Sequence, residues 1–105
     1  MQPSKVYFTN FRASESENLL QKLRRLIEKA GMMDMPLEGK LTAVKMHFGE
    51  PGNLAFLRSN YAKVVVDALK DMGARPFLTD CNTLYTGMRR NALAHLDAAD
   101  MNGFT

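Results

Sequence analysis

The sequence has no tryptophan and a single cysteine, Cys81, among its 105 residues. One cysteine cannot close an internal disulfide, and it cannot hold a zinc ion or an iron–sulfur cluster by itself. A reducing compartment, the cytoplasm, is therefore expected. The chain also lacks an apolar run near the ~18 residues of a membrane span, and its first residues lack the basic-then-apolar layout of a secretory signal. These absences favour a globular protein without a membrane partner.

Basic and acidic residues balance along most of the chain, and an excess of one sign occurs only near its beginning. The net charge is +3, and residues 1–31, with six basic and three acidic side chains, account for all of it. Four of the basic residues fall in one helical stretch, where a solvated helix face is the simplest interpretation: Lys22, Arg24, Arg25 and Lys29. A nucleic-acid surface would combine a basic stripe with interleaved aromatic residues. That pattern is missing, so no nucleic-acid partner is expected.

Strand and helix patterns alternate through the sequence. Stretches rich in β-branched, aromatic or apolar residues predict strands at 5–9, 41–48 and 75–79. Apolar residues at three- and four-residue steps predict helices at 19–30, 60–72 and 88–101, the first preceded by a capping box at Ser14 and Glu17. The order β-α-β-α-β-α predicts an α/β domain with three βα units. We expect a short parallel sheet flanked by helices in a three-layer, Rossmann-like arrangement.

Ligands of open parallel sheets bind beyond the carboxyl ends of the strands. Three predicted loops lie there, at residues 10–14, 49–53 and 80–87. Strand order decides whether these loops meet, and the sequence leaves that order open.

The loop after the second predicted strand carries the most distinctive motif, KMHFGEPGN at residues 45–53. Its glycines and proline predict a bend with exposed amides that could hold an anion. His47 and Glu50 could form an acid/base pair or supply two metal ligands. The alternative is a tight turn in which a backbone carbonyl satisfies His47. The ligand-binding candidates in this motif are Lys45, Gly49, Gly52 and Asn53.

The loop after the third predicted strand carries a second group of polar residues. Asp80 directly follows the strand, a common position for a catalytic carboxylate in this architecture. Candidate ligand-binding residues follow it: Asn82, Thr83 and Arg89. The alternative is a loop in which Asp80 and Asn82 cap their own backbone. Cys81 could be a reactive thiol or a small buried residue, and His95 is expected to be a surface or helix-packing residue.

Three stretches together resemble the DUF362 family: KMHFGEPGN at 45–53, PFLTDCNTLYTGMR at 76–89 and NALAHL at 91–96. The resemblance implies an α/β core and, in full-length members, a later ferredoxin-like segment whose cysteines bind 4Fe–4S clusters. This chain has only Cys81, so no cluster-binding residue can be transferred and no cofactor is expected in the chain itself. Residues 1–105 are therefore expected to form one α/β domain, the amino-terminal part of a longer protein. The family gives the loop residues no established role.

Three functions remain open from the sequence. The first is a domain of an iron–sulfur redox protein whose cluster-binding segment lies elsewhere. The second is an enzyme domain that binds a small molecule or an anion with the polar loops at the carboxyl edge of the sheet, with His47, Glu50 and Asp80 as catalytic candidates. The third is a structural or interaction fragment. Because three strands make a small sheet, we also expect its exposed edge to pair with another copy.

Overall fold

The computed structural model describes residues 1–104 as a mixture of helices and parallel strands. The regular elements, in chain order, are α1 (Leu19–Lys29), a short 3-10 helix (Met32–Asp34), β1 (Leu41–Lys45), α2 (Ser59–Asp71), β2 (Arg75–Thr79) and α3 (Ala92–Met101). The predicted α/β class is confirmed.

The sheet consists of β1 and β2, which run parallel in a register from Leu41 opposite Arg75 to Lys45 opposite Thr79. Helix α2 makes the crossover between them, as a parallel pair requires. β1 was expected to continue to residue 48 but ends at Lys45. The reason is the length of its partner: the last ladder contact beyond it is Met46 N–H donating to the carbonyl of Thr79, 3.0 Å away, where β2 itself ends.

The strand predicted at residues 5–9 is not formed, so residues 1–104 contain two strands rather than three. Val6 and Phe8 are 87% and 85% exposed. The chain just after this segment is held on α1 instead, because Lys22 Nζ donates to the carbonyls of Asn10 and Arg12 at 2.9 and 2.7 Å. Lys22 is therefore buried, and the prediction that it lies on a solvated helix face is wrong.

Helix α1 begins one turn later than its predicted capping box. Asn18 accepts from Gln21 N–H at 2.9 Å, and the Gln21 side chain accepts from Asn18 N–H at 2.8 Å. Ser14 Oγ does accept from Glu17 N–H, but the Glu17 carboxylate pairs with Arg25 and does not return the bond. A capping box needs both halves, and only the Asn18 pair supplies them.

Helix packing leaves one face of the sheet open. α2 packs on both strands and α1 packs on α2. Along β1 the half-buried Thr42 and Val44 alternate with exposed neighbours, among them Leu41 at 71%. Phe77 on β2 is 49% exposed. The helices therefore flank the described strands mainly on one side, and the expected third layer is not formed in residues 1–104.

The domain is more open than its size requires. Its accessible surface is 7998 Å², whereas a compact monomer of this mass would expose about 5,900 Å². The radius of gyration is 16.0 Å, against about 13 Å for a compact chain of this length. The buried apolar residues are small apart from Leu69: Ala62, Ala68, Leu69, Ala74, Ala98 and Ala99. No helix in residues 1–104 has both the length and the apolar character needed to cross a membrane.

Candidate site at the carboxyl ends of the strands

The loops that follow β1 and β2 meet around the Asp80 carboxylate. Its side chain is only 5% exposed. Oδ1 accepts from Cys81 N–H at 2.8 Å, and Oδ2 accepts from Phe48 N–H at 3.4 Å. Because β1 and β2 are neighbours, their carboxyl ends lie at one edge of the sheet and bring the two loops together.

Three basic side chains approach Asp80. Lys45 Nζ lies 3.5 Å from Oδ1, and Arg89 Nη1 and His95 Nε2 lie 3.5 and 3.4 Å from Oδ2. Burial raises the pKa of Asp80, but the backbone hydrogen bonds from Cys81 and Phe48, with the Lys45 ammonium, outweigh it. As a result, the pKa of Asp80 lies below its ordinary value of 3.8. Asp80 is therefore ionised at neutral pH.

Arg89 ties the two loops together through a second carboxylate. Its side chain is 8% exposed, and its Nε donates to Glu50 Oε2 in a short ion pair. Nη2 donates to the Tyr85 hydroxyl at 2.6 Å, and that hydroxyl lies 3.4 Å from Glu50 Oε2. Burial lowers the pKa of Arg89, but the bonds to Glu50 and Tyr85 outweigh it and raise the pKa. The Arg89 carbonyl also accepts from Thr83 N–H at 2.8 Å.

His95 enters the site from the first turn of α3. Its ring Nδ1 lies 2.9 Å from Asn82 Oδ1, and the ring meets Phe48 edge-on with centroids 5.9 Å apart. Its Nε2 is buried and has no hydrogen-bond partner within residues 1–104. A buried polar atom without a partner costs free energy, so this nitrogen needs an explanation.

The carboxyl end of α3 is fastened to the same site. Asn102 Nδ2 donates to the Phe48 carbonyl at 2.9 Å. Gly49 follows Phe48 with φ of 88° and is buried. A Cβ at this position would lie 2.6 Å from Asn102 Nδ2 and 2.8 Å from the Phe56 ring. Gly49 therefore permits both the turn and the close approach of α3.

Several predicted residues lie outside these contacts. His47 is exposed, and its Nδ1 accepts from Gly49 N–H at 2.8 Å, so a backbone N–H rather than a carbonyl satisfies it. Within residues 1–104 no hydrogen bond or ion pair joins His47 to Glu50. Gly52 has open space around it, and Asn53 Oδ1 caps its own loop by accepting from Ala55 N–H.

At the margins of the site, the structure answers one question that the sequence left open and decides between the two interpretations of Cys81. The loop at residues 10–14 does not join the other two, because Asn10 and Arg12 bind Lys22 on α1. Cys81 is an exposed free thiol rather than a buried residue, although its N–H bonds Asp80.

A cavity of about 330 Å³ opens between α3 and the end of β2. Its wall combines apolar side chains with the buried polar groups of the site, and the lining residues are Phe48, Leu78, Thr79, Asp80, Asn82, Ala92, His95 and Leu96. His95 was expected to pack or to face solvent, and the sequence contained one usable signal of its role. Asn91 is the N-cap of α3, its Oδ1 accepting from Ala94 N–H at 3.0 Å, which fixes His95 one turn into the helix.

The site does not fit an iron–sulfur cluster. Such clusters are held by several thiolates, and this sequence supplies only Cys81. Across the described part of the chain, no three His, Cys, Asp or Glu side chains are grouped closely enough to hold a metal ion.

A family model described as a domain of unknown function, DUF362, matches residues 42–105. The chain belongs to the DUF362 family. The match covers β1 from its second residue, α2, β2 and α3, and thus all the residues described above around Asp80. No curated protein and no solved structure matches the chain. DUF362 membership therefore identifies the domain without assigning a role to any of its side chains.

Proposed function

We propose that this DUF362 domain binds a small molecule in the cavity at the carboxyl ends of its two strands. The observation that carries the proposal is made at His95, which lines this cavity and whose buried Nε2 has no hydrogen-bond partner in residues 1–104. A ligand that bonds this nitrogen would remove the cost of leaving it unsatisfied.

The character of the cavity supports the proposal. Small-molecule sites are concave, mostly apolar and equipped with a few convergent polar groups, and their volumes start near 300 Å³. Here Phe48, Leu78 and Leu96 supply apolar wall, while Asp80 and His95 supply the polar groups. Arg89 and Lys45 hold the Asp80 carboxylate in place, so its position is set before any ligand arrives.

A titration of the isotope-labelled chain with a fragment library, followed by NMR, tests this proposal. Leu96 lines the cavity and is 67% exposed, so Leu96→Trp should block the cavity without disturbing the core. Leu93 lies on the same helix, is 77% exposed and is outside the cavity wall, which makes Leu93→Trp the matched control. Fragments should shift resonances of the lining residues in the native chain and in Leu93→Trp but not in Leu96→Trp. Equal behaviour of the two variants, or fragments that never perturb the lining, would refute the proposal.

The iron–sulfur role implied by the family resemblance is a second proposal, and it concerns a longer protein. The cluster would be held by cysteines outside residues 1–105, with the present domain lying beside it. The exposed Cys81 thiol would stay reduced in the cytoplasm, the compartment that we propose. Anaerobic cluster reconstitution, followed by absorbance, should leave this chain colourless and should colour only a protein with further cysteines.

Self-association through the open edge of β1 is a third proposal. In the observed register the N–H and C=O groups of Leu41, Ala43 and Lys45 point away from β2. The outer edge of β2 is the poorer template because Pro76 has no N–H to donate. Antiparallel pairing of two β1 strands about Ala43 would place Leu41 opposite Lys45 and would avoid a direct contact of like charges. The excess accessible surface of the monomer supports such a partner.

A further inference from the structure

We infer that the ligand of this cavity presents a hydrogen-bond donor, such as a hydroxyl, an amide N–H or an ammonium group, on an apolar body, and that it is not an anion. This inference rests on the proposed function, because it names the chemical class that the same cavity would take.

The hydrogen bond between His95 and Asn82 fixes which ring nitrogen is free. Asn82 Oδ1 can only accept, so the proton between it and His95 Nδ1, 2.9 Å away, belongs to the imidazole. In the neutral ring Nε2 then carries a lone pair. Nε2 faces Asp80 Oδ2 at 3.4 Å, and an ionised carboxylate oxygen is also an acceptor. Two acceptors thus face each other inside the site, and one donor that lies beside the pair could bond both in a bifurcated hydrogen bond.

The charges around the cavity disfavour an anion. Lys45 and Arg89 approach the cavity-lining Asp80, and both are engaged by carboxylates, Arg89 by Glu50 and Asp80 together. No lysine or arginine lines the cavity in the described residues, whereas the ionised Asp80 does. An anion would therefore meet a negative charge at short range in a partly buried site.

The apolar wall of the cavity determines the chemical character of the rest of the ligand. Phe48 and Leu96 stand beside the two acceptors, so a flat or compact apolar group can fill the cavity while its donor reaches His95 Nε2. Phenol has this layout. Anisole has the same ring without the donor, and benzoate has the same ring with a negative charge, so the three compounds separate shape, donation and charge.

The tautomer of His95 can be measured in the free protein by nitrogen-15 NMR of the imidazole rings at alkaline pH. The chain has two histidines, and the structure predicts opposite tautomers for them. His95 should carry its proton on Nδ1, whereas His47, whose Nδ1 accepts from Gly49 N–H, should carry it on Nε2. His47→Gln removes one ring and assigns the other. A proton on Nε2 of His95 would overturn the inference, since that nitrogen would then donate to Asp80.

Titration of the complete chain with phenol, anisole and benzoate tests the ligand class. Phenol should bind about tenfold more tightly than anisole, equivalent to about 1.4 kcal/mol, because anisole leaves the two acceptors unbonded. Benzoate should bind least. If phenol and anisole bind the cavity equally, or if benzoate binds best, the donor inference fails while the proposed binding function stands. If none of the three perturbs the cavity residues, both fail.

Discussion

Replacing Arg89 with methionine tests whether the ion network holds the two loops together. The Arg89 and Asp80 side chains are 8% and 5% exposed, while Glu50 is 33% exposed. Removing one partner of a buried pair costs about 3–5 kcal/mol because the other charge stays buried and uncompensated. Glu50 can be partly rehydrated, and Asp80 keeps Lys45 and two backbone donors. The low end, about 3 kcal/mol, is therefore expected for Arg89→Met.

Urea unfolding followed by circular dichroism measures this loss. The free energy of unfolding of a domain of this length is about 5–15 kcal/mol in total. In a parallel thermal unfolding experiment, a loss of about 3 kcal/mol would lower Tm by roughly 15 °C. Arg25→Met is the matched control, because Arg25 is 65% exposed and pairs with Glu17 at the surface. It should leave the midpoint within experimental error. If Arg89→Met does not fold, Arg89→Lys, which keeps the charge but loses the fork of donors, should fold with a smaller loss. A loss below about 1 kcal/mol for Arg89→Met, or one equal to that of the control, would refute the reasoning.

Three further predictions follow from the same geometry. Because folding lowers the pKa of Asp80, its ionised form stabilises the domain above the unfolded pKa of 3.8, and this stability is lost as the pH falls through the lower folded value. Asp80→Asn should therefore flatten the acid limb of a plot of unfolding free energy against pH. An unchanged acid limb would contradict this prediction. Gly49→Ala should destabilise the domain more than Gly52→Ala, because both glycines have positive φ but only Gly49 lacks room for a Cβ. Gly52→Ala should therefore show only the conformational cost of about 1 kcal/mol. Equal losses of stability in thermal unfolding would show that the close approach at Gly49 is unimportant. Leu41→Lys should abolish concentration-dependent association in light scattering, because it sets a cation opposite Lys45 of the second copy. The monomer should still fold, since Leu41 is exposed in it. A native chain that stays monomeric at high concentration would refute the pairing itself.

The elements that local signals could predict best are α2 and β2 of the β1-α2-β2 crossover, whose partners follow closely along the chain. β2 occupies the residues that its apolar pattern predicted, and α2 differs from its prediction by one residue at each end. The strand at residues 5–9 has equally strong β propensity but no edge to join, since Lys22 holds the following backbone on α1. A strand exists only when its hydrogen bonds find a partner, and propensity alone cannot report that.

The candidate site shows the same division between local and long-range information. Asp80 could be selected because a polar residue directly after a parallel strand has a defined place at the sheet edge. His47 and Glu50 are near each other in sequence, but the bend at Gly49 sends Glu50 to Arg89 and leaves His47 at the surface. His95 is 15 residues beyond Asp80 in the numbering, and only the docking of α3 brings its ring to the carboxylate. Asn102, which fastens the end of α3 to Phe48, could be predicted only as a helix stop, and Asn91, which caps the start of α3, lay inside the helix predicted at 88–101. The position of the free His95 nitrogen therefore depends on the N-cap Asn91, which is a local signal in the sequence, and on the bond from Asn102 to Phe48, which no local pattern reveals.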